Sequence, residues 1–103
     1  MLRPDLDSIP PFYKKYVEHV KDFDLLPILD HSNKQLLTLL GTIPEEKGTF
    51  RYAPGKWSIK ELLCHMMDAE RIFAYRALRF ARNDKTTLHG FEENDYAPEA
   101  NAH

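Results

Sequence analysis

Apolar residues recur at helical spacing along two long stretches of the chain, and no stretch calls for a strand. The longer runs from Ser58 to Arg82 without a Gly or Pro. At about 100° per residue, Ile59, Leu62, Met66, Ala69, Phe73, Ala77 and Phe80 fall on one stripe, with Leu63 and Ala81 at its edge. That stripe is the expected core face. Lys60, Asp68, Arg71, Tyr75, Arg79 and Arg82 fall broadly opposite, on the expected wet side. His65 lies on one flank with Ile72 and Arg76 below it, and Glu70 lies on the other. The start is well marked: Pro54-Gly55 breaks what precedes, Ser58 offers an N-cap oxygen, and Glu61 stands three residues on to complete a capping box. A helix over 58–82 would be about 37 Å long at about 1.5 Å per residue.

The second stretch, 24–41, carries Leu25, Leu29, Leu36 and Leu40 as its stripe, widened by Leu26, Ile28, Leu37 and Leu39. Asp22 or Asp24 caps it, Pro27 fits its first turn, and Gly41 followed by Pro44 ends it. Ser32 and Asn33 interrupt the apolar face, so either Asn33 bonds to a neighbouring helix or the two line a site. Phe12 to Val20 forms a short helix with Phe12, Tyr16 and Val20 at a spacing of four. Before it, a Pro- and Asp-rich arm lies extended. A single helical turn falls within 44–48, and 49–56 is a turn-rich connector. Asn83-Asp84 can end the long helix, and Gly90 and Pro98 keep 83–103 irregular. The expected organisation is one all-α domain over 1–103, with an arm and short helix to 23, long helices at 24–41 and 58–82, and an irregular tail. Two broad stripes make an up-down hairpin, which is half of a four-helix bundle. A second copy of the chain or a further C-terminal half would complete it, and a homodimer is the expected state.

Composition narrows the function classes. The 103 residues are 43% hydrophobic and 29% charged, as in ordinary globular proteins. A net charge of −2 argues against a nucleic-acid binder, which needs a positive surface. No apolar run approaches the ~20 residues of a membrane span, and the first residues lack the apolar centre of a signal peptide, so a cytoplasmic protein is expected. The single Cys cannot form an internal disulfide.

The run from Tyr52 to Tyr96 resembles the DinB-like superfamily of metal-binding four-helix bundles, which share a P-x-K-W-S entry, a following helical histidine and a D-x-E-R turn. Pro54, Lys56, Trp57, Ser58, His65, Asp68, Glu70 and Arg71 stand at the family's spacing. The resemblance implies a divalent metal, zinc or nickel, held by three histidines, of which only the first maps here, onto His65. It also implies metal-assisted hydrolysis or transfer of a low-molecular-weight thiol. Without the resemblance, His65 would read as a partly buried histidine packed in a helix crevice.

The other candidates each have a plain reading. Cys64 sits about 100° round the helix from His65 and reads as an ordinary thiol. Glu70, on an apolar flank, must be paired, hydrated or functional; an arginine partner is the plain reading and a catalytic base the alternative. Trp57 packs over the bundle end or walls a ligand pocket. His19, His31, His89 and His103 share no ligand spacing with His65, and only a fold-back of the tail would bring the last two near it. A non-catalytic dimerisation module with a vestigial metal site is therefore the alternative to a metalloenzyme.

Overall fold

The computed structural model describes residues 5–20, 22 and 24–103; the start of the arm, residues 1–4, lies outside the described residues, as do 21 and 23. Among the described residues there are four α-helices and no strand: α1 (Pro11–Val20), α2 (Leu25–Gly41), α3 (Ile59–Ala81) and α4 (Glu93–Glu99), with single 3-10 turns at Leu6–Ser8 and Glu45–Lys47. The fold class is all-α, as the periodicity predicts. The chain divides into two compact units, 1–43 and 44–103. No helix is long and apolar enough to cross a membrane, among the described residues.

In the first unit, Asp5 starts the 3-10 turn by accepting from the Asp7 amide at 3.0 Å, so the arm is turned rather than extended at that point. On α1, the Phe12 ring meets Tyr13 edge-on at 5.1 Å and Tyr16 at 6.0 Å, the second contact being the expected spacing of four. Asp24 occupies the N-cap position of α2 without a side-chain hydrogen bond. Pro27 sits in the first turn, where its missing N–H has no intrahelical partner to lose. The helix ends at Thr42, whose amide reaches Leu39 and Leu40 carbonyls and whose hydroxyl donates to Leu39 at 2.6 Å. Ser32 and Asn33 are exposed.

The second unit is built on α3. A helix leaves its first four N–H groups without intrahelical acceptors, and here each equivalent group at the start finds one. The Ser58 amide donates to Glu61 Oε2 at 2.6 Å, and the Glu61 amide donates to Ser58 Oγ at 3.1 Å. Ile59 donates to the Phe50 carbonyl at 3.3 Å and Lys60 to the Gly48 carbonyl at 2.9 Å. Ser58 is consequently 2% exposed. At the far end Asn83 takes φ 53, its amide donates to Phe80, and Asp84 donates back to Arg79, both at 3.0 Å. This is a Schellman motif with Asn in the left-handed position. Both ends of α3 are therefore fixed locally.

The tail over 83–103 is not irregular throughout, as Pro98 and Gly90 suggest, because α4 forms within it. Glu92 caps it by accepting from the Asn94 amide at 3.1 Å, and Glu93 and Asp95 in the first turn suit the positive end of the dipole. Pro98 falls at the next-to-last position, where it costs one hydrogen bond rather than the helix. Ala97, 8% exposed, is the one buried apolar residue among those described. It lies against α3, which α4 contacts.

Candidate functional site

His65 stands two turns into α3, on the flank the periodicity predicts. Its ring lies 4.9 Å from that of Trp57, tilted by 49°. Trp57 is thus a wall beside the histidine. On its other neighbours His65 meets a crevice of about 10 Å³ shared with Asp68, Phe91, Glu93, Tyr96 and Ala97. That is room for about one water. The crevice exists because the tail folds back along α3.

Three cations hold the fold-back. Arg79 pairs through Nε with Asp84, donates from Nη2 to the Thr86 carbonyl, and donates from Nη1 to Tyr75 Oη at 3.1 Å. Arg76 donates to the His89 carbonyl at 3.1 Å. Lys60 donates to the His103 carbonyl at 3.3 Å and pairs with Glu45 at 2.8 Å. The Thr86 amide, then its hydroxyl and the Arg79 charge, stabilise the Asp84 carboxylate and lower its pKa. Hydrogen bonding to Tyr75, helped by Asp84, holds the Arg79 pKa above its ordinary value.

These contacts correct the predicted faces of α3. Arg79 and Asp68, assigned to the wet side, have side chains only 12% and 35% exposed. Phe73 and Phe80, assigned to the stripe that a second copy or a further half is expected to cover, are 60% and 75% exposed in the single chain. The tail covers the polar flank because arginine stems can pack while their guanidinium groups bond to loop carbonyls. Arg71 is solvent-facing as expected, paired with Asp68 at 3.2 Å.

The fold-back does not turn the other histidines into ligands. His89 and His103 contribute backbone carbonyls, to Arg76 and Lys60, and their exposed rings do not line the His65 crevice. His19 and His31 are exposed. Among the described residues, no three His, Cys, Asp or Glu side chains come together as a metal site. Glu70 is exposed and has no arginine partner among the described residues. Cys64 is a half-buried free thiol.

The residue that sequence reasoning missed is Arg51. Its guanidinium donates to both oxygens of Glu61, at 2.5 and 2.9 Å, and to the Lys56 carbonyl at 2.6 Å. One side chain thereby ties the connector to the capping box. Arg51 is the main cause, with the Ser58 amide next, of a Glu61 pKa lowered from 4.5 to about 2.

An all-α chain with a doubly capped long helix carrying a half-buried histidine beside a tryptophan is the class defined so far. The chain belongs to the DinB superfamily, whose family model matches residues 28–102, from α2 through the tail. No curated protein and no solved structure matches it.

Proposed function

We propose that this chain is part of a DinB-type metal-dependent enzyme, of the hydrolase or thiol-transferase kind, and that His65 supplies one ligand of its zinc or nickel site. The observation that carries the reading is a half-buried imidazole set beside Trp57 on a capped helix in a DinB-superfamily chain. A catalytic zinc takes about three protein ligands and one open position. The described side chains of one chain do not fit that requirement, so in this reading a second copy of the chain supplies the further donors. The ion would supply Lewis acidity toward water or a thiol. Melting wild type and His65→Ala with and without added zinc or nickel tests the proposal, because an ion that binds only the folded state raises its melting temperature. The expected result is a rise in wild type that vanishes in the variant. Superimposable wild-type curves, with the variant lower in both conditions, would sink it.

A second reading is favoured by the exposure of the α3 stripe, where Leu62, Phe73 and Phe80 are 47%, 60% and 75% exposed. In it the chain is a non-catalytic helical module that pairs with a second copy, and the His65 ring only packs. Truncation at His65 then costs roughly 1–3 kcal/mol and is indifferent to metal.

A further inference from the structure

Trp57 meets the His65 ring and also lines a second, larger cavity of about 530 Å³ that lies wholly within the 44–103 unit. Small-molecule sites are typically about 300–1,000 Å³, mostly apolar, with a few polar groups to fix orientation. Phe50, Tyr52 and Trp57 supply aromatic walls here, Leu62 an aliphatic one, and Lys56 and Asn94 polar groups. Tyr52 and Phe50 are 75% and 55% exposed, an unusual investment of aromatic surface in a short connector.

The charge of the cavity is one-sided. Among the described residues, Lys56 is the only charged one in the lining, and no carboxylate joins it there. Its ammonium stands 5.9 Å from the centre of the Tyr52 ring and forms no ion pair with a described residue. A ligand cation is disfavoured twice, since Lys56 repels it and already engages the Tyr52 ring. The connector is also held in shape before any ligand arrives. Arg51 bonds the Lys56 carbonyl and both Glu61 oxygens, and Gly55 makes the turn at φ 73, a conformation that favours glycine. A preformed loop loses less entropy on binding. The arginine-lined cavity of about 330 Å³ further along α3 is the weaker candidate, because its guanidinium groups are already held by Asp68, Asp84 and tail carbonyls.

We infer that the Phe50–Tyr52–Trp57 cavity binds a small organic monocarboxylate with a flat apolar body, its ring against the aromatic walls and its carboxylate at the Lys56 ammonium. A single ammonium matches a single negative charge, and a compact apolar body matches the lining. The site needs no metal, so it stands or falls separately from the role of His65.

Trp57 is the only tryptophan in the chain, so its fluorescence reports on the cavity directly. Chelator-treated protein is titrated at low salt with 3-phenylpropionate, the neutral 3-phenylpropionamide and the cationic 3-phenylpropylamine. The expected result is a saturable response in which the acid binds about two- to fivefold tighter than the amide, the range of an exposed charge pair, and the amine binds weakest. Lys56→Met should abolish the preference for acid over amide, Lys56→Arg should keep it, and Tyr52→Ala should weaken acid and amide together. Lys56 is exposed and its side chain ties no element to another, so these variants should keep the wild-type far-UV circular dichroism. No saturable response, equal affinity for acid and amide, or a preference that survives Lys56→Met would overturn the assignment. A response lost as protein concentration rises would also overturn it, showing that a second copy fills the cavity.

Discussion

Glu61 joins two hydrogen-bond systems at one carboxylate: it closes the capping box on the Ser58 amide and receives both arms of Arg51. Charge-assisted, two-armed arginine contacts are among the stronger polar interactions and fix geometry as well as charge. The resulting pH dependence has a definite sign. The Glu61 pKa falls from 4.5 to about 2 on folding, so its contribution to stability is fully present above 4.5 and is lost as pH drops toward 2. Asp84, also lowered, acts in the same direction. Glu61→Gln retains a capping-box side chain but has no proton to gain. Its melting temperature is expected to fall less than that of wild type between pH 5 and pH 2, and an equal fall would show that the Arg51–Glu61 pair carries no acid sensitivity. Arg51 was not legible in advance. Its partner lies ten residues away across an aperiodic connector, and no pattern of spacing marks such a contact.

At the scale of elements, what was legible is what local chemistry decides. Ser58 and Glu61 announced the start of α3, Asn83-Asp84 announced its end, and the geometry at both places is the one those residue types favour. The tail escapes a reading from spacing for the opposite reason. A helix of seven residues shows little periodicity, and isolated short helices are marginal without packing. Packing of Ala97 on α3 and the Arg79 anchor supply what sequence spacing cannot show. The crevice around His65 is not foreseeable from spacing, because Phe91, Glu93 and Tyr96 enter only once the tail folds back. If Arg79 anchors that fold-back, Arg79→Met frees Asp84 and the Thr86 carbonyl together. Amide hydrogen exchange over 93–99 should then accelerate markedly while the middle of α3 changes little. Unchanged exchange in α4 would leave the Ala97 contact as the sufficient anchor.

Many large apolar side chains among the described residues are exposed. The chain is 43% hydrophobic, yet Ala97 is its one buried apolar residue among those described. In the first unit Leu26, Leu29 and Leu37 are 72%, 57% and 60% exposed, and in the second Phe73 and Phe80 are comparably bare. Fully burying one such side chain is worth about 1.5–3 kcal/mol, and several of them on one helix face give a second surface something to cover. The proposed occupant is a second copy of the chain, since a two-fold axis sets each stripe against its own equivalent and the modest net charge of −2 opposes pairing only weakly. Sedimentation equilibrium at micromolar concentration should therefore give about twice the monomer mass of 12.1 kDa. Phe73→Lys places a charge in the middle of the α3 stripe, where burial of an unpaired ammonium is costly. It should shift the equilibrium to monomer, whereas Arg71→Lys, on an exposed side chain of the same helix, should not. Because Phe73 is already 60% exposed in the single chain, the substitution should leave helical content intact at low concentration, separating lost association from lost folding. A wild-type chain that sediments as a compact monomer and melts cooperatively at a temperature independent of concentration would rule the dimer out, since association makes apparent stability rise with concentration.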